Sequence, residues 1–127
     1  MYLKRVFSNG NIWAKAESPS RCEMMEFLDK LPSHLRIKIE RDLYRLSAGD
    51  RVAAEKIKHV EKSIFELRND AARILFFHEG DHWIVLCCGF IKKSRKLPIQ
   101  ERERALRVLI EYHRAKLNKN ILLLEYY

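Results

Sequence analysis

Two arginines and a run of cations are the residues in this chain with chemistry to offer. Arg68 closes the alternating segment SIFELR (63–68), and Arg73 opens RILFFH (73–78) after the short link NDAA. IKKSRK (91–96) then brings four positive charges in six residues and no acid. A guanidinium fork matches phosphate oxygens bidentately, and an ammonium adds a compact point charge. Arg68, Arg73, Lys92 and Arg95 are therefore candidates for facing developing negative charge, with Lys93 and Lys96 extending the patch. The plain alternatives are a solvated basic loop, and for Arg68 an edge residue paired with Glu66 or Asp70.

These residues need strands to place them. Period-2 patterning and short polar breaks make SIFELR, RILFFH and HWIVLCCGF (82–90) three consecutive antiparallel strands. The last is too apolar to own a wet face, so it belongs in the sheet centre, covered on both sides. Lys92 and Lys93 follow it directly and point to opposite faces while the strand persists, so only one of them enters a cleft easily.

One motif is a decoy. His78-Glu79-Gly80-Asp81-His82 satisfies H-E-x-x-H, a pattern that binds zinc when a helix puts both histidines on one face. Gly80-Asp81 between two strand-like runs is hairpin chemistry instead, and no third ligand is evident. No metal or other cofactor is expected.

The 127 residues fit one domain, with residues 1–117 forming the body and 118–127 an apolar tail. The net charge of +8 favours a nucleic acid or an acidic protein partner, and the last 57 residues hold +5 of it. Cys22, Cys87 and Cys88 are an odd set with two neighbours, read as reduced thiols of a cytoplasmic protein. The first residues lack the apolar core of a signal peptide, and no apolar run approaches membrane-spanning length.

In chain order, LKRVF and NIWAKA are short strands around Ser8-Asn9-Gly10, and at least one should join the later sheet. Ser20-x-x-Glu23 reads as a capping box for a helix that stops before Pro32. Ser33 caps a second helix, with Leu35, Ile39, Leu43 and Leu46 on one face, ended by Gly49-Asp50. The short link makes the two a helical hairpin across one sheet face. Residues 50–62 read as an irregular connection. Pro98 starts a final helix whose buried stripe is Leu106, Leu109, Ile110, His113 and Leu117. Tyr112 lies off that stripe, free to reach a base, and Arg102 is on another face. The tail NKNILLLEYY either packs on the domain or adds a strand to a partner or a second copy.

The wording then becomes informative: EFLDKLPSHLRIKIERDLYRL, SIFELR, RILFFHEGDHWIVLCCGFIKK, RKLP and ERERALRVLIEYHRA. Over residues 11 to 116 this closely resembles the RelE/HigB toxins of type II toxin–antitoxin systems, in their phage-derived Gp49-like branch. "ELR" before a strand opening with Arg73, and "GF-KK---LP" before the last helix, are its most specific pieces. The resemblance implies a small α+β domain of the RelE/ParE type: an antiparallel sheet of about four strands, an N-terminal helical hairpin and a C-terminal helix. It implies a metal-independent, ribosome-dependent mRNA endoribonuclease restrained by a cognate antitoxin, often a helix-turn-helix protein. Arg73 stands where RelE-like toxins carry a phosphate-contacting arginine. ParE-type sisters on the same fold poison DNA gyrase, and a non-catalytic nucleic-acid-binding protein is a third reading.

RNA cleavage by its own 2′-OH needs a base, stabilisation of a dianionic phosphorane and an acid. A lysine serves as base only where neighbouring cations and burial lower its pKa. His113 reads as a core histidine, and the Asp-Tyr-His ending of some HigB proteins is missing, so the acid is unassigned. Tyr126 and Tyr127 reach the cleft only if the tail folds back over it.

Overall fold

The computed structural model describes residues 1–126. Trp83–Ile91 (β6) is the middle strand of seven, and its side chains explain why. Ile84 and Leu86 enter one apolar cluster, while Val85, Cys87 and Cys88 enter another on the opposite face. The sheet runs from Ile57–Glu61 (β3) through Ile64–Asn69 (β4) and Ala72–Glu79 (β5) to β6. It continues through Ile12–Ala16 (β2) and Tyr2–Arg5 (β1) to Leu122–Leu124 (β7).

The expected sheet of about four antiparallel strands is therefore corrected to a mixed sheet of seven. The β2–β6 and β1–β7 pairs are parallel, and the other pairs are antiparallel. Residues 57–61, read as an irregular connection, form β3 behind a 3-10 turn at Ala54–Lys56. That strand is an outer edge with a largely wet surface, so its side chains carry no alternating apolar signal. The tail pairs within its own chain. Leu122–Leu124 lies along β1, the N-terminal amine donates to the Asn120 carbonyl at 2.8 Å, and Arg5 pairs with Glu125 at 2.7 Å.

Glu23–Lys30 (α1) and Ser33–Ser47 (α2) cover one face of the sheet; Ile99–Leu117 (α3) covers the other. The expected helical hairpin is a second correction. Strands precede both helices; α1 packs on β6 and β2, α2 on β6, β2 and β4, and the two helices are joined by the Arg36–Asp29 ion pair. The capping box does not form: Cys22 is the N-cap residue, and the Glu17 carboxylate accepts the Glu23 N–H at 2.7 Å. Ser33 is likewise the first helical residue of α2, with Pro32 in the cap position. Gly49 does end α2, at φ +79°, with the Asp50 N–H donating to the Arg45 carbonyl.

The last helix is rotated from the expected orientation. It buries Ala105, Val108, Leu109, Tyr112 and Ala115, while Ile110, His113 and Leu117 are exposed. Small residues at 105 and 115 let the helix approach the sheet closely, and aliphatic bulk alone misjudged the face.

Candidate phosphate-binding cleft

The β4–β5 hairpin sets Arg68 and Arg73 directly opposite each other in register, so both side chains leave the same face of the sheet. Asp70, at φ +51°, helps turn the chain between them. On β6, Phe90 is the residue opposite Arg73, and the Lys92 N–H extends the ladder by donating to the Ala71 carbonyl at 2.7 Å. Between Leu75 and Phe76 the register slips: Cys88 faces Leu75 but Leu86 faces Phe76, leaving Cys87 as the extra residue of a bulge. Cys87 and Cys88 consequently both pack on the α3 side, as free buried thiols, instead of on opposite faces. The bulge also inverts the alternation beyond it. Without it, Lys92 would fall on the α1 side; with it, Lys92 joins the arginines.

An open cleft of about 720 Å³ results, lined by Arg68, Asp70, Arg73, Lys92, Lys93 and Arg95. A smaller one of about 150 Å³ adjoins it, sharing Arg68 and Lys92 and adding Lys58, Leu97 and Arg102. Lys92 is half-buried and lines both; Lys93 is exposed and lines only the larger. Of the expected site residues, Arg68, Arg73, Lys92, Lys93, Arg95 and Arg102 are therefore gathered at one end of the sheet. Lys96 is exposed and lies outside both clefts.

Tyr112 does not join them. It is 4% exposed, packs on Phe77 with ring centroids 5.3 Å apart, and its hydroxyl bonds the Glu79 carboxylate. Burial and that carboxylate push its ionisation well above the ordinary tyrosine range. Glu79 ends β5 and Arg73 is its second residue, so about 20 Å of extended chain separates them. The tail is also remote, since β7 lies at the sheet edge opposite β3. Tyr126 accordingly does not fold over the cleft, and Tyr127 lies outside the described residues.

Beneath the arginines is a residue treated in the sequence only as a charge partner. Glu66 is 2% exposed; its Oε1 accepts the Arg68 Nε–H at 2.7 Å and lies 3.9 Å from Arg73 Nε. Arg73 is held from the other side, its Nη1 donating to the Asp70 and Ala72 carbonyls at 2.6 and 3.0 Å. Its Nε–H is buried without a hydrogen-bond partner. The signal for Glu66 was an acid two residues before Arg68 on an alternating strand, hence on the same face. Lys58, opposite Glu66 in register, was missed with its strand.

Among the described residues no cluster of histidine, cysteine, aspartate and glutamate is arranged to hold a metal ion. The H-E-x-x-H stretch is strand and hairpin, with Gly80 at φ +64°. His78 sits against Phe76, His82 lies against the Ser47 carbonyl, and Glu79 pairs with Lys116. A further cleft of about 310 Å³ lies between α1 and α3, but its charges pair among themselves and with neighbours, as Arg104 with Glu23 and Lys15 with Glu111. No helix among the described residues is long and apolar enough to cross a membrane.

Residues 26–109, about two thirds of the chain, match the family described as "Phage derived protein Gp49-like (DUF891)". The chain belongs to that family. The Gp49-like proteins are a RelE/HigB-like toxin family, and the matched span contains the whole cation cleft, together with α2 and strands β3 to β6. Strands β1, β2 and β7 of this Gp49-like chain lie outside it. No curated protein matches the chain.

Proposed function

We propose that this Gp49-like protein is the toxin of a type II toxin–antitoxin pair, acting in the cytoplasm as a ribosome-dependent mRNA endoribonuclease. The observation that carries this reading is the convergence of Arg68, Arg73, Lys92 and Arg95 on one cleft, with Arg68 locked by the buried Glu66. Messenger RNA enters that cleft as a polyanion. When the 2′-oxygen, its proton lost to solvent, attacks the adjacent phosphorus, negative charge grows on the non-bridging oxygens until the P–O5′ bond breaks and the departing 5′-oxygen takes a proton from solvent. Arg68 and Arg73 supply planar N–H donors to those oxygens, and Lys92 adds an ammonium from the next strand. Glu66 is a positioning residue. It keeps the Arg68 fork fixed, so that little reorganisation is needed as charge develops. Lys93, Arg95 and Arg102 extend the surface along the RNA backbone, and Lys96 lies beyond them. The partner that restrains the toxin is a cognate antitoxin of the helix-turn-helix type.

The test is mapping of mRNA 5′ ends after brief induction, wild type beside Arg73→Ala and Lys92→Ala. Codon-phased cuts that disappear in the variants support the reading. Growth arrest with intact messages and broken DNA replaces it with gyrase poisoning. Intact messages with normal growth reduce the protein to nucleic-acid binding.

A further inference from the structure

The helix α3 carries two apolar stripes, and only one is covered. The buried stripe faces the sheet through Ala105, Val108, Leu109, Tyr112 and Ala115. The second recurs at alternating spacings of four and three residues through Ile99, Glu103, Leu106, Ile110, His113 and Leu117, apolar at four of these six positions. This is a heptad seam over five turns of helix, about 28 Å long. Ile99, Ile110 and Leu117 are 72%, 54% and 83% exposed, and Leu106 is half-buried. These are three of the seven large hydrophobic side chains exposed among the described residues. A solvated helix face does not need them.

The charges beside the seam state what would cover it. Arg107 and Arg114 flank it on one side, Arg102 and Lys116 on the other, against the single carboxylate of Glu103 within it, so the face is net cationic. Arg102 and Lys116 pair with Glu61 and Glu79, yet both remain about half exposed. In a helix pair these are the positions that select a partner by charge. A second copy of this chain laid along the seam would set one net positive face against another, with only Glu103 on each to offset it. An acidic helix would set carboxylates against these cations.

We propose that the outer face of α3 is a docking surface for an acidic amphipathic helix of a partner protein, seated on Ile99, Leu106, Ile110 and Leu117 and gripped by Arg107 and Arg114. The seam begins beside Arg102, which lines the smaller cation cleft with Arg68 and Lys92. A docked acidic helix therefore brings negative charge to the rim of that cleft, and this last consequence rests on the proposed function of the cleft.

The probe is a fluorescent three-heptad peptide with leucine at a and d and glutamate at e and g, which repels itself at neutral pH. Fluorescence anisotropy is read with the full chain at about 0.05 M and about 0.5 M salt. Saturable binding is expected, weakened by high salt and at least about tenfold by Ile110→Asp with Leu117→Asp. Arg107→Glu with Arg114→Glu should weaken it as much, and Ile37→Asp, an exposed apolar position on α2, should not. The apolar pair is exposed, so thermal melts should match wild type; if that pair misfolds, Ile110→Ser with Leu117→Ser takes its place. Absent binding overturns the proposal. So does binding indifferent to Ile110→Asp with Leu117→Asp, which is plain charge attraction. Self-association of the wild type that these variants abolish, with no peptide binding, assigns the seam to a second copy instead. None of these outcomes bears on mRNA cleavage, which the 5′-end map reads separately.

Discussion

Glu66 Oε1 lies 2.7 Å from Arg68 Nε and 3.9 Å from Arg73 Nε, so one buried carboxylate faces both arginines of the cleft. Glu66→Gln keeps the shape and removes the charge. The loss of a charge-assisted hydrogen bond should cost about 1–3 kcal/mol in a denaturation melt. Cleavage should also fall, while RNA binding by the remaining cations persists. A variant with full cleavage would remove Glu66 from the positioning role.

Arg73→Lys separates charge from geometry. The lysine keeps one positive charge but loses the Nη1 bonds to the Asp70 and Ala72 carbonyls that fix the guanidinium, and with them the planar Nη2 donors. Cleavage in the 5′-end assay should drop by about 100-fold, as for loss of one oxyanion donor. Lys92→Arg should be milder, since it keeps the charge and adds donors.

Asp42 is a buried acid away from the cleft, and it predicts the acid stability limb. It is fully buried, bonded by Asn69 at 3.0 Å and Lys56 at 3.2 Å. Burial alone would raise its pKa, but the Asn69 and Lys56 hydrogen bonds and the Lys56 and Arg41 charges outweigh that, and the net shift is downward. The unfolded carboxyl titrates near about 3.9, so Asp42 contributes stability above that pH and loses it as pH falls through the lower folded value. Melts across this window should show the loss in wild type and a flatter profile in Asp42→Asn, which starts from a lower plateau.

Gly89 sits where the α1 face meets β6, and a Cβ added there would collide with the Phe27 ring. Gly89→Ala should cost about 1–3 kcal/mol by overpacking. Phe27→Leu should recover part of that loss in the double variant, and a melting series of the four proteins reads the coupling.

Tyr112→Phe removes the hydroxyl bonded to Glu79 and little else. Stability should fall by about 1 kcal/mol. Cleavage should be unchanged, because the ring is buried far from the arginines; a cleavage defect would restore Tyr112 to the site.

The cleft was legible because strands announce themselves by alternation. Residues 63–91 resolve into β4, β5 and β6, and the cation run at their end falls where the strand register puts it. What could not be read was the Cys87 bulge, since nothing in HWIVLCCGF marks one residue as unpaired. The choice between Lys92 and Lys93 turned on that residue. Tyr112 and His113 were exchanged for a different reason: α3 has two apolar faces, and the larger aliphatics lie on the exposed one. The edge strands β3 and β7 were hidden because their side chains are shared between sheet and water. The parallel β2–β6 pairing is long-range and leaves no local trace.

That pairing also orders the assembly of the molecule in time. Strands β3 to β6 follow one another through short turns, so their closure is local and fast. Residues 12–14 must instead find residues 84–86, and residues 2–4 must find 122–124. Closing those long loops is entropically costly before any contact compensates, so the N-terminal hairpin docks late. Substitutions in β1 and β7 should therefore accelerate unfolding while leaving the refolding rate nearly unchanged. The arginine cleft belongs to the early-forming half, and its geometry is set before the sheet is complete.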